Sequence, residues 1–230
     1  LGAIGVTAFN CFLYAALHHT TVVNAALINS LMPAVTFLFA LAILRETPPA
    51  RRLLGLAISF VGAAVIISRG EPAGLARFAL NRGDLLVLGG LTFWALYTVL
   101  IRWRPTRLPP IVFLAATVGF GVLFHLPLVG WELAAVGGFA LDGRSAAALA
   151  YFAIFPSVLA YIFWNRAVGA LGPGRTGMFM HLLPIFSAAL AVAFLGEAFL
   201  AYHAVGILLI VAGITLVTRP TLRVPPDRRD

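Results

Sequence analysis

Asn29-Ser30-Leu31-Met32-Pro33, running on to Leu44-Arg45-Glu46, Gly55 and Gly62, decides the fold because the chain contains it twice. The second copy is Met180-His181-Leu182-Leu183-Pro184, then Leu195-Gly196-Glu197, Gly206 and Gly213. One offset of 151 residues, without a gap, relates Pro33 to Pro184, Glu46 to Glu197, Gly55 to Gly206 and Gly62 to Gly213. Shared Ala and Leu carry little weight in an apolar chain. A proline, a glutamate and two glycines in register indicate an internal duplication centred on a proline-bearing helix.

The surrounding composition fixes the solvent. Of 230 residues, 61% are hydrophobic and only 10% charged, against roughly 25% charged in a soluble domain. Such a chain cannot cover itself with polar surface, so lipid must surround it. All 16 basic residues are arginine. They sit between apolar runs, which makes them loop charges that set membrane orientation rather than a nucleic-acid surface. The single cysteine, Cys11, excludes an intramolecular disulfide, a Cys-rich zinc cluster and an iron–sulfur site. No cofactor or metal is expected.

A membrane-spanning helix needs about 20 mainly apolar residues. Eight stretches qualify: Leu1–Leu17, Val22–Leu44, Leu53–Ser68, Asp84–Trp103, Pro110–Val129, Ala146–Val168, Gly177–Leu195 and Tyr202–Thr218. Short links rich in breakers join most of them. Two links are longer, Arg69–Gly83 and Gly130–Ser145, and Leu75–Leu80 in the first suits a short interfacial helix. No strand-forming alternation competes, and backbone in lipid must be helical or a closed barrel.

Arginines on alternate sides give the orientation. The side with the C-terminus holds Arg45, Arg51, Arg52, Arg102, Arg104, Arg107, Arg175, Arg219, Arg223, Arg228 and Arg229, and Arg166 joins them. The other side holds Arg69, Arg77, Arg82 and Arg144. The arginine-rich side is therefore expected in the cytoplasm. Spans two and seven are the duplicated pair, and an odd number of crossings relates them, so the copies run in opposite directions. This predicts an all-α polytopic membrane protein with two inverted-topology five-helix repeats. Residues 1–70 would be the last three helices of the first repeat, 71–220 the second repeat and 221–230 a cytoplasmic tail. The intact protein would have ten spans, eight of them here, with roughly 70 residues preceding Leu1.

These features resemble the drug/metabolite transporter superfamily of the EamA type, whose five-helix unit occurs twice, inverted. Asn24-Ala25-Ala26-Leu27-Ile28 and Tyr161-Ile162-Phe163-Trp164-Asn165-Arg166-Ala167 strengthen the likeness. Within the family the neutral, aromatic-rich spans look most like the amino-acid exporters of the YddG kind. The resemblance implies a central cavity lined by helices of both repeats, with the last helix of each repeat packed behind it.

Polar and aromatic residues inside the spans are the candidates for that cavity: Asn10, Tyr14, Asn29, Ser30, Trp94, Tyr97, Tyr161, Trp164, Asn165 and His181. Asn24 and Thr98 share their character. A buried polar group without a partner is costly, so each faces another helix, water or substrate. Asn10 and Tyr14 sit four residues apart, as do Tyr161 and Asn165, on corresponding spans. His181 is the ionisable group nearest mid-membrane and suits either a neutral hydrogen bond or proton coupling. Pro33 and Pro184 are either hinges over the cavity or fixed bends. The seven-residue glycine spacings put each pair on one helix face, as close packing requires. Glu46 and Glu197 suit caps of the following helices.

No catalytic motif is present: no G-x-S-x-G, H-E-x-x-H or P-loop. The expected activity is not enzymatic but secondary transport. The expected cargo is a small neutral or zwitterionic metabolite, amino acids including aromatic ones, exported across a bacterial inner membrane by alternating access. Sugar phosphates or other metabolites of the same superfamily are the alternative cargo, and a non-transporting scaffold the alternative role. The expected partners are a small-molecule substrate and the lipid bilayer, with no nucleic acid and with room for a homodimer.

Overall fold

A computed structural model describes residues 1–71, 73, 80–138 and 141–219. Among the described residues every regular element is helical. Eight helical rods follow one another: α1 (Gly2–Leu17), α2 (Val22–Leu44), α3 (Ala50–Ile67), α4 (Arg82–Trp103), α5 (Pro110–Ala135), α6 (Gly143–Leu171), α7 (Pro173–Leu195) and α8 (Ala201–Thr218). Seven are long and apolar enough to span a bilayer, while α1 is shorter. The eight expected stretches are therefore all helices, the first as the shorter apolar helix Gly2–Leu17. The interfacial helix expected at Leu75–Leu80 lies, but for Leu80, outside the described residues. The tail 221–230 lies outside them too.

One boundary moves appreciably. α5 was expected to stop at Val129, yet it continues through Pro127 and Gly130 to Ala135. No neighbouring atom lies near Gly130. A glycine alone only weakens a helix, and the left-handed Gly137 follows the helix end.

α4 is the central strut. Half of its most apolar window is buried, against 6% for α6. It starts with a reciprocal cap: Asn81 Oδ1 accepts from the Asp84 backbone at 2.9 Å, and Asp84 Oδ2 accepts from the Asn81 backbone at 3.0 Å. Asp84 is fully buried and also accepts from the Thr20 hydroxyl and from Asn24 Nδ2 at 3.2 Å. Its carboxylate thus ties the α1–α2 turn to the start of α4. Gly83 permits this, because a Cβ there would meet the Thr20 backbone nitrogen at 2.6 Å. Asp84→Ala should strip the acceptor from three donors and lower stability by about 2 kcal/mol, read as a lower melting temperature in detergent. An unchanged melting temperature would mean the tie is not structural.

The other caps differ from expectation. Glu46 does not cap α3, because Pro49, extended at ψ 152°, occupies the N-cap position. The Thr47-Pro48-Pro49 run delays the helix until Ala50, too far from the Glu46 carboxylate. Glu197 does not cap α8 either: His203 Nδ1 accepts the Leu200 N–H at 3.0 Å. Asp142 does cap α6, accepting the Ser145 N–H at 2.7 Å. The Ser145 hydroxyl bond, with that backbone bond, holds the Asp142 carboxyl below its ordinary range.

α3 and α8 pack antiparallel through their glycine faces. A Cβ on Gly55 would meet Gly213 O at 2.6 Å, and one on Gly62 would meet Gly206 O at 2.7 Å. Only glycine allows backbones this close. The contact is symmetric under the 151-residue offset. Gly55 faces Gly213 as Gly206 faces Gly62, and Gly55 meets Val217 as Gly206 meets Ile66.

The backbone repeats local features at the same offset. A seven-residue wide helical turn covers Gly2–Ala8 and another covers Ala153–Leu159, around Pro156. Arg45 and Gly196 both end their helices in the left-handed conformation. Both proline rods change course just before the proline. α2 breaks at Ser30 and Leu31 between two α-helical pieces, and α7 tightens to a 3-10 turn at Phe179–Leu182. Pro33 and Pro184 each fall in the first turn of the segment that follows. There a missing N–H costs nothing, and φ is already suited to a helix.

Candidate functional site

The candidate residues separate into two adjoining groups. The first is an aromatic box built by α1, α4 and α6. Trp94 is its hub, with ring centroids 4.8 Å from Phe9, 5.2 Å from Tyr161, 5.4 Å from Trp164 and 5.5 Å from Tyr97. Tyr97 fills the space that a side chain at Gly5 would take. Trp94 and Tyr97 are three apart on α4, and Tyr161 and Trp164 three apart on α6, so each pair shares a helix face. Tilted and edge-on ring contacts at these distances are favourable.

Hydrogen bonds fix the box. Tyr97 Oη donates to Asn165 Oδ1 at 3.0 Å. Trp164 Nε1 donates to Thr98 Oγ1 at 3.0 Å, and Thr98 Oγ1 donates to Trp94 O at 2.8 Å. Tyr161 Oη donates to Gly5 O at 2.7 Å, joining α6 to the wide turn of α1. One donor is left over. Trp94 is 7% exposed, yet its Nε1 finds no acceptor among the described residues. An orphaned buried donor costs about 1–3 kcal/mol.

The second group is a polar knot at the proline break. His181 is fully buried. Its Nε2 lies 2.7 Å from Ser30 O and its Nδ1 lies 2.7 Å from Ser59 Oγ. A carbonyl only accepts, so Nε2 carries a proton. A neutral ring then accepts at Nδ1 from the Ser59 hydroxyl. In a doubly protonated ring Nδ1 donates to Ser59 Oγ, and the hydroxyl proton can turn to Leu56 O, 3.1 Å away. Both protonation states leave every partner satisfied.

His181 therefore holds the broken α2 against α3. Its carbonyl partner, Ser30, is also its counterpart at the 151 offset. Met32, packed with the core of the aromatic box, and Met180, packed against it, connect the two groups.

The remaining candidates border the box or lie beyond it. Tyr14 is 58% exposed, yet close enough to Tyr161 to interact with it electrostatically. Asn10 is half-buried, donates to Val6 O at 2.7 Å within its own helix and also hydrogen-bonds with the Tyr161 side chain. Asn29 is half-buried at the α2 break, and Asn24 is spent on Asp84. Ser59 and Phe9 were not singled out from sequence, whereas Thr98, grouped there with the candidates, does join the box. The signal for Ser59 was available, since it lies between Gly55 and Gly62, one helical turn from each.

A family model described as the EamA-like transporter family matches residues 1–68 and 81–219. The uncharacterized transporter YyaM of Bacillus subtilis is 28% identical over 225 residues, which are 98% of this chain and 73% of that protein. A probable terminal-alkyne amino-acid exporter of Streptantibioticus cattleyicolor is 29% identical over 225 residues, 96% of this chain and 72% of that protein. A protein of known crystal structure superposes with a TM-score of 0.75 at 22% identity, over 94% of this chain and 74% of that one. That last likeness concerns the fold alone.

Proposed function

This chain belongs to the EamA-like transporter family, and from that membership we propose that it is a secondary exporter of small neutral or zwitterionic metabolites, aromatic amino acids among them. The single observation that carries the reading is the Trp94 box. The box is closed here, with Trp94, Tyr97 and Tyr161 buried; opened, its rings would offer an apolar stacking surface and its orphaned indole N–H a donor to a carboxylate or carbonyl oxygen. The exporter of Streptantibioticus cattleyicolor, similar over nearly the whole chain, favours the amino-acid class. A likeness to YddG-type exporters is part of this proposal, not of the family assignment.

The mechanism follows from the inverted duplication, which is also our reading. It is supported by the reciprocal Gly55–Gly213 and Gly62–Gly206 contacts and by paired backbone breaks at one offset. Two halves of similar build and opposite direction have two equivalent packings, and rocking between them opens the box to either side in turn. Pro33 and Pro184 lie where the rods already change course, and the residues before them form the knot. The arginine-rich side faces the cytoplasm in this scheme.

Reconstituted protein should show saturable counterflow of phenylalanine or tryptophan. Trp94→Ala should cut that flux at least about tenfold, as expected for a lost stacking surface and donor, while leaving detergent-solubilised protein monodisperse. Saturable flux of sugar phosphates with none of aromatic amino acids would overturn the substrate. No saturable flux of any probe from well-folded protein would favour the scaffold.

A further inference from the structure

A cavity of about 200 Å³ opens at the arginine-rich end, between α4, α5 and α6. Arg102, Arg104 and Arg166 line it, and no carboxylate does. Ile101, Phe113 and Ile162 supply apolar wall. Asn165 lines the same cavity, and its Oδ1 is the acceptor of Tyr97 Oη in the aromatic box. The vestibule and the box therefore share a residue.

Orientation alone accounts for arginines in a loop. It does not account for three arginines lining one concavity with apolar walls and no carboxylate. None of the three forms an ion pair among the described residues. Two are partly held in place. Arg102 Nη1 is 3.4 Å from Gly169 O, and the Arg104 guanidinium sits 4.9 Å from the Trp103 ring centroid. A planar guanidinium with spare N–H groups pairs with carboxylate or phosphate oxygens.

We propose that this cavity is an anion-capture vestibule that takes the carboxylate or phosphate head of a small amphiphile and presents its apolar body toward the aromatic box. It rests on the transport reading above only for its role as a loading site. Head and body bind on their own chemistry: head against Arg102, Arg104 and Arg166, body against Ile101, Phe113 and Ile162. The zwitterion of an aromatic amino acid has such a head and body. An anionic phospholipid presents the same head chemistry from the bilayer.

The test is binding, read without flux, on the full chain in neutral detergent. Phenylacetate should bind saturably. Phenylacetamide and phenethylamine, with the same body but a neutral or cationic head, should bind at least about tenfold more weakly, as expected for a charge-assisted contact. The double variant R102Q/R166Q should lose phenylacetate affinity by about the same factor. Arg107→Gln removes one charge from the same link without touching the cavity, and should change nothing. Equal binding of phenylacetate and phenylacetamide would overturn the proposal. So would wild-type affinity in R102Q/R166Q.

If the double variant unfolds, Arg104→Gln and the salt dependence of wild-type binding still decide: affinity must fall with Arg104→Gln and with rising salt. Arginine-dependent binding of phosphatidylglycerol without phenylacetate binding keeps the anion site and removes the loading role. Failure of the transport reading is separate and appears as absent flux with phenylacetate binding intact.

Discussion

Gly62→Leu should leave little folded protein. A Cβ at Gly62 would lie 2.7 Å from Gly206 O and 2.9 Å from the Ile210 backbone nitrogen. Both are main-chain atoms of α8, so no side chain can swing aside. The helices must separate along the whole seam, including the equivalent contact of Gly55 with Gly213. Overpacking a rigid interior costs about 1–3 kcal/mol for modest insertions, and a leucine against backbone should reach or exceed that. Gly62→Ala should show a smaller loss in the same direction. Gly119→Leu is the control, since nothing lies within 4 Å of a Cβ there. Melting temperature and yield of monodisperse protein measure the effect. Equal stability of the Gly62 and Gly119 variants would refute the close seam.

His181→Ala is expected to be nearly as damaging, by a different route. It empties a fully buried site, removes the side-chain donor from Ser30 O and leaves Ser59 Oγ only its bond to Leu56 O. Cavity and lost hydrogen bonds together should cost about 3 kcal/mol. His181→Gln keeps one donor and one acceptor on a shorter reach, and should recover part of the stability. The two variants also separate structure from proton handling. If His181 only ties α2 to α3, a folded Gln variant should retain counterflow and proton-gradient-driven flux alike. If it carries the coupling proton, the Gln variant keeps exchange and loses gradient-driven accumulation. A His181→Ala protein as stable as the wild type would remove the knot from the account.

How much was legible in the sequence varies from residue to residue. Trp94, Tyr97, Tyr161, Trp164 and Asn165 were all chosen for being polar or aromatic in mid-span, and the fold brings them together. Their three- and four-residue spacings were enough to put them on shared helix faces. Tyr14 was chosen on the same ground and lies exposed, because spacing along α1 does not say which face meets α4. The Glu46 cap failed for a local reason: Pro48 and Pro49 delay the helix, and Pro49 takes the N-cap position. Ser59 was passed over because a serine between two glycines looks like packing until its partner is known.

The sequence by itself determined the solvent, the number of helical rods, the places where they break and the sites of backbone approach. Each is set within a single stretch, by hydropathy over about 20 residues, by proline, or by glycine at two-turn spacing. Only the tertiary structure decided that Gly55 meets Gly213 and Gly62 meets Gly206, that His181 binds Ser30 and Ser59, and that three arginines ring one cavity. Those are relations between segments far apart in the chain. An apolar helix exposes similar side chains all round its circumference, so its own sequence cannot say which neighbour it will meet. The proline stretch shows both parts at once: its break is written at Pro33, but the imidazole that braces it, His181, comes from the second proline stretch, 151 residues on.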